Sequence, residues 1–133
     1  MIAGVADTHA ALWLLFGDPR LSPLAKNFIE RAAAERRTIA VAPISLAEVV
    51  YLVEKNRLPA TAFDVLLSAL RNPNHVLEEA PFTGYVVSEM RVVSRQSIPD
   101  MPDRIIAATA TWLSVPLISR DGKIRSSHVT TIW

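Results

Sequence analysis

An α/β domain on a mostly parallel sheet is the architecture this chain predicts, from three observations. Short apolar runs alternate with longer helical segments along the whole length, the pattern of strand–helix–strand units. The strand candidates lack apolar/polar alternation, as expected of parallel strands covered on both faces. The 133 residues, 50% of them hydrophobic, are enough for one domain with a real core and too few for two. The reading is therefore one domain, residues 1–133.

Each element has a local reason. Ile2–Ala6 reads as the first strand, and Thr8–Phe16 as a helix stopped by the turn signal Gly17-Asp18-Pro19. Ser22-Pro23 starts a second helix, with Ser22 as cap and Pro23 at the first helical position, running to about Arg37. Ile39–Ala42 is a second strand, too apolar for a wet face; Ser45–Asn56 and roughly Ala60–Arg71 are helices. Val76–Glu79 is a weaker strand. Thr83–Gln96 is helical by its apolar positions Val86, Val87, Met90 and Val93, and Asp103–Leu113 is a helix rich in small apolar residues. Pro116–Ser119 is a strand, and Val129–Trp133 a last short one. No internal repeat, low-complexity tract or linker interrupts the series.

Composition narrows the function classes. With 14 Lys+Arg against 13 Asp+Glu, net charge says little about partners, so any nucleic-acid contact has to come from local patches. The absence of cysteine removes disulfides, thiolate metal sites and cysteine nucleophiles, and fits a reducing compartment. Asp7 interrupts the first apolar run too early for a secretory signal. The longest uncharged stretch, Ile105–Ser119, contains Pro116 and is too short to span a bilayer. A soluble, cytoplasmic protein without membrane contact is expected.

Four acids occupy similar places. Asp7 directly follows the first strand, and Glu48 lies in the first turn of the helix after the second. Asp103 opens the helix "DRIIAATATWL", and Asp121 follows the strand "PLIS" by two residues. In a parallel sheet, functional groups gather beyond the carboxyl ends of the strands. The junctions carrying Asp7, Glu48 and Asp121 then share one edge, and Asp103 joins them if its helix begins there. Each acid also has an ordinary explanation. Asp7 can cap the helix at Thr8, and Ser45-Leu46-Ala47-Glu48 has the form of a capping box. Asp103 can favour a helix dipole with Asp100 as cap, and Asp121-Gly122 is a common turn pair. These roles are compatible with a shared site.

Clustered carboxylates repel one another, and at least one resists ionisation unless a cation is held. Oxygen ligands without cysteine or paired histidines suit Mg²⁺ or Mn²⁺ rather than Zn²⁺. Such an ion can activate water and neutralise charge on a phosphodiester. His9 is expected to be a structural imidazole at a helix start, and His75 and His128 lack ligand spacing. Trp13, Leu14, Phe16, Trp112 and Trp133 read as core or interface.

The stretches "VADTHAALWLL", "ISLAEVVYLVEKNRL", "PDMPDRIIAATATWLSVPLISRD" and the ending "VTTIW" resemble the PIN-domain ribonucleases, in particular the VapC-type toxins of bacterial toxin–antitoxin pairs. The likeness covers almost the whole chain in order and spacing. It implies a three-layer α/β/α fold on a parallel sheet of about five strands, and a Mg²⁺- or Mn²⁺-dependent endoribonuclease. It further implies a homodimer and inhibition by a small antitoxin whose tail enters the active-site groove. By motif, Asp7, Glu48, Asp103 and Asp121 match the four acids, which would be both catalytic and metal-binding. Ser119 matches a supporting hydroxyl, and Thr8 is assigned the same role. The family's Asp-Pro-aromatic-Asp-Arg here reads Asp100-Met101-Pro102-Asp103-Arg104, which leaves the role of Asp100 open.

An RNA substrate needs a basic rim around an acidic hole. Arg104, Arg120, Lys123 and Arg125 are the candidates nearest in sequence. Single-stranded or looped RNA is the expected substrate form. Two alternatives compete. A catalytically silent PIN-like module would hold RNA or protein without cutting. A phosphoacceptor domain would want paired acids after the first strand and a lysine after a late one, where this chain has Thr8-His9 and Arg120-Asp121. A dinucleotide-binding reading fails, because no Gly-x-Gly-x-x-Gly follows the first strand.

Overall fold

The computed structural model describes residues 1–133. Five strands form one sheet in the order β3-β2-β1-β4-β5, and every pairing is parallel. They are β1 (Ile2–Ala6), β2 (Thr38–Val41), β3 (Leu77–Glu79), β4 (Leu117–Ile118) and β5 (Thr131–Ile132). Seven helices connect them: α1 (Thr8–Leu15), α2 (Pro23–Ala34), α3 (Pro43–Glu54), α4 (Ala62–Arg71), α5 (Gly84–Glu89), α6 (Met101–Leu113) and α7 (Gly122–Arg125). Because β1 is the central strand and the chain returns to its far side only at β4, the strand order switches direction between β1 and β4. That is where an open parallel sheet leaves a crevice at its carboxyl edge.

The sheet is apolar on both sides because both are covered. Ile39, Val41 and Ile118 pack with Leu12, Ile29, Val49 and Leu66 from α1–α4. Their strand neighbours Ala40 and Leu117 face the other way, toward Val86 of α5, Ile106 of α6 and Ile124 of α7. The result is the expected three-layer α/β/α arrangement, and it explains the missing alternation in the strands. No helix is long and apolar enough to cross a membrane.

Helix ends follow from local chemistry. Ser22 caps α2 by accepting from the Ala25 N–H at 3.1 Å, with Pro23 in the first turn as expected. The helix stops at Ala34 rather than near Arg37, because Arg36 turns left-handed (φ 56°). Arg36 N–H then donates to Ala33 O and Arg37 N–H to Ala32 O, a Schellman closure. Asn56 (φ 58°) closes α3 in the same way.

Three expectations are corrected. The capping box does not form: α3 begins at Pro43 after Ala42, with no side-chain cap, and Ser45 lies buried inside the first turn. The helix expected over Thr83–Gln96 ends at Glu89, and the following turns are anchored by buried Val93 and Ile98. The carbonyls of Met90 and Val93 are taken by the Arg104 guanidinium instead of by a continuing helix. Conversely, the expected turn at Asp121-Gly122 opens the short helix α7.

Gly4 marks a close approach. A Cβ built there would lie 3.0 Å from the Phe28 ring of α2 and 3.2 Å from the Pro116 carbonyl oxygen. The ring can move; the backbone oxygen, fixed beside β4, has less freedom. Gly4→Val is therefore expected to destabilise by roughly 1–3 kcal/mol despite the better strand propensity of valine. A urea midpoint equal to wild type would contradict this.

Candidate functional site

β1 and β4 deliver two acids side by side. Asp7 N–H donates to the Ile118 carbonyl at 3.1 Å, so the first residue beyond β1 is locked to the end of β4. Asp7 also caps α1, accepting from Ala10 N–H at 2.9 Å. Beyond β4, buried Ser119 accepts the Asp121 N–H at 3.1 Å, and Asp121 in turn caps α7 through Lys123 and Ile124 N–H. Asp100 caps α6 by accepting Asp103 N–H at 3.1 Å. The ordinary capping roles of Asp7 and Asp100 are thus real, and they hold carboxylates at the carboxyl edge of the sheet.

Glu48 is held differently. The Thr8 hydroxyl, buried at the start of α1, lies 2.5 Å from Glu48 Oε1 and 2.8 Å from Ser45 Oγ. One hydroxyl has one proton, so Thr8 donates to the carboxylate and Ser45 donates to Thr8. Residues expected to cap a helix instead form a buried relay that fixes the Glu48 rotamer.

Asp7, Glu48, Asp100, Asp103 and Asp121 all line one cavity of about 460 Å³. Thr8, His9, Trp13, Arg20 and Arg120 complete its wall. All four sequence-selected acids are therefore brought together, and Asp100 joins them. Burial pushes the Asp103 carboxyl up to about 7, reinforced by the negative charges of Asp100, Asp121, Glu48 and Asp7. The Glu48 carboxyl is raised, chiefly by burial, against the pull of the Thr8 hydroxyl. Asp7, surrounded by protein but open to the cavity, is also raised by burial, while the Ser119 hydroxyl and the Ala10 N–H counter it. Asp103 is the hub, since every other acid of the cavity acts on it.

The donor set is hard: carboxylate oxygens, with His9 as the one imidazole on the wall. It fits Mg²⁺ or Mn²⁺. No three of these groups are spaced to grip one ion directly, so an ion would be held partly through water, as Mg²⁺ commonly is.

The basic candidates divide. Arg120 lines the cavity. Lys123 lines an adjoining hollow with Asp100, Asp103 and Asp121. Arg104 does not face the site: its guanidinium donates to Val93 O at 2.9 Å and Met90 O at 2.6 Å, pinning the α5–α6 connection. Its charge is spent on backbone because α6 turns it away from the edge that Asp103 occupies. Arg125, exposed on α7, lines neither hollow. Arg20, His9 and Trp13 are wall residues that sequence order did not single out for the site. The signal for Arg20 lay in the short α1: eight residues span only ~12 Å, so the turn after it still borders a cavity at its start.

Compared with known protein families, residues 5–127 match the PIN domain. Among solved structures the chain is similar to VapBC2 from Rickettsia felis, bound to a DNA fragment from their promoter. The TM-score is 0.70 at 22% identity, covering 98% of this chain and 97% of that one. A toxin–antitoxin complex from Klebsiella pneumoniae matches with TM-score 0.56 and 20% identity over 93% of this chain and 92% of that chain. FitAcB from Neisseria gonorrhoeae matches with 0.58 and 19% over 96% and 95%. No curated protein matches. The structures agree on the fold, and the family match spans both ends of the acidic cavity. The chain belongs to the PIN domain family.

Proposed function

We propose that this protein is a divalent-metal-dependent endoribonuclease, the toxin of a toxin–antitoxin pair, hydrolysing RNA phosphodiesters at Asp7, Glu48, Asp103 and Asp121. The observation that carries the reading is the Asp103 carboxyl, surrounded by the charges of four other acids across one cavity and raised to about 7. Such crowding is unfavourable in isolation and is relieved by a hard cation. When bound, Mg²⁺ or Mn²⁺ supplies Lewis-acid stabilisation of the phosphodiester and lowers the pKa of water.

The chain's own residues then divide the work. Asp7, Glu48 and Asp103 would hold the ion, partly through water, and Asp121 would complete the acid ring. Thr8 and Ser45 keep Glu48 in one rotamer; Ser119 fixes the backbone at Asp121. Asp100, besides capping α6, adds negative charge that raises Asp103 and Glu48. A protein similar in fold is a toxin–antitoxin complex, and on that basis a small antitoxin is the proposed inhibitor. A homodimer is the assembly proposed from the resemblance to VapC-type toxins, and the cytoplasm the location proposed from the absence of cysteine.

The test is incubation of purified protein with single-stranded RNA in Mn²⁺ or Mg²⁺ and, in parallel, in EDTA. Cleavage with metal and none in EDTA is expected. Intact RNA in every metal condition would favour the silent-module alternative.

A further inference from the structure

Trp13 stands among cations. The Arg120 guanidinium carbon is 4.6 Å from the indole centroid and that of Arg20 is 5.0 Å away, both within cation–π range. His9 and Trp133 flank the same ring at 5.6 and 5.8 Å. Trp13 is itself buried, so the ring is a fixed platform.

Arg20 is fixed a second time. Its Nε and Nη2 donate to the Asp18 carboxylate at 3.1 and 2.8 Å, while its backbone N–H donates to the same group at 2.9 Å. Arg120 has no carboxylate partner within ion-pair distance. An exposed arginine ordinarily loses side-chain freedom when it grips an anion; here much of that ordering is already done.

The position of the pair matters as much as its rigidity. Both arginines line the cavity that holds the acids. The adjoining hollow bounded by Trp13 and Asp18 carries none of the four sequence-selected acids, and the hollow on the Lys123 side carries neither arginine. Asp100, Asp103 and Asp121 border the hollow on the Lys123 side, whereas Trp13, which carries both arginines, borders the hollow on the other, so carboxylates and guanidinium groups flank different sides of the cavity. Two kinds of phosphate contact follow from that split: one that needs a metal and one that needs none.

Resting on the nuclease reading, we infer that Arg20 and Arg120, held on Trp13, clamp the phosphate next to the scissile one. The substrate is then a strand with a charged internal phosphodiester beside the cut. The free guanidinium fork of Arg120 suits that group better than an ammonium would, and Arg20, whose Nε and Nη2 are held by Asp18, adds its remaining N–H donors. Single-strand recognition by cations set on an aromatic platform follows the same chemistry.

The test measures binding rather than cleavage. Fluorescence anisotropy of a labelled single-stranded RNA is recorded in Mn²⁺ on an Asp103→Asn background, which keeps the strand whole. Arg20→Ala and Arg120→Ala are each expected to weaken binding by about tenfold, the scale of one charge-assisted hydrogen bond. Arg31→Ala, an equal loss of charge on the exposed face of α2, is expected to change it less than about twofold. A set of RNAs with one neutral methylphosphonate at each position in turn should reveal a position that costs about tenfold with both arginines present and less than about twofold in Arg120→Ala. Binding by the two variants equal to Arg31→Ala would overturn the inference. So would a methylphosphonate penalty that survives Arg120→Ala at every position, or no RNA binding with both arginines present. Failure of the nuclease reading is seen separately, as no cleavage by the wild type in Mn²⁺, and leaves the binding comparison intact.

Discussion

Asp7→Asn is expected to lower RNA cleavage by at least ~10³-fold, about 4 kcal/mol of transition-state stabilisation, while leaving the fold as stable as wild type or more so. The two effects separate because the cap that Asp7 forms and the catalytic role proposed for it have different requirements. As the cap of α1 it needs only an oxygen to accept the Ala10 N–H, and asparagine caps about as well as aspartate. As a member of the acid ring it needs its charge. Burial already disfavours that charge in the metal-free protein, so neutralising it removes a cost. Thermal melting without metal, run beside the cleavage assay, checks both halves. A variant that loses stability and activity together would mean that Asp7 is a structural cap whose loss disturbs the fold.

Metal-free protein is expected to melt about 5 °C lower at pH 8 than at pH 5, and Mn²⁺ is expected to reverse the order. Asp103 titrates near 7 when folded, against an ordinary value of 3.8. Between those values the folded state holds a proton that the unfolded chain has released. Stability therefore falls as pH rises through the window and is lowest above pH 7. Asp7 and Glu48, both raised, act in the same direction; His75, lowered by burial, acts against them. A shift of this size on a fully buried group would be worth roughly 4 kcal/mol. Asp103 is only half-buried, and solvent screening reduces the expected effect to roughly 1–2 kcal/mol, or ~5 °C in a chain of this length. A metal that binds the ionised ring stabilises most at pH 8, by about 2.7 kcal/mol at a hundredfold excess over its dissociation constant. The Asp103→Asn variant should flatten the metal-free difference. An equal difference in that variant would place its origin elsewhere.

The architecture was legible because its signals are local and repeated. Ile39–Ala42 lacks polar positions, so a strand covered on both faces could be read from four residues. The convergence of the acids was legible only through topology, since Asp7 and Asp121 lie far apart in sequence and meet through parallel pairing of β1 and β4. Side-chain direction was not legible. Arg104 adjoins Asp103 in sequence but bonds to Met90 and Val93, because neighbouring helical positions point about a quarter-turn apart. The Ser45–Glu48 spacing satisfied the rule for a capping box, yet Pro43 had already started the helix, and Thr8 from another element claimed both side chains. Arg20 escaped notice because its role depends on Trp13 and Asp18 together, a meeting made by the turn after α1.

The most direct test of the central claim is cleavage of one RNA in ¹⁸O-labelled water with Mn²⁺, by the wild type and by Asp7→Asn, followed by mass analysis of the ends. Hydrolysis by water at the acid ring predicts fragments whose new terminal phosphate carries one solvent oxygen, formed by the wild type and not by the variant. A 2′,3′-cyclic phosphate at the cut, or equal cleavage by both proteins, would contradict it.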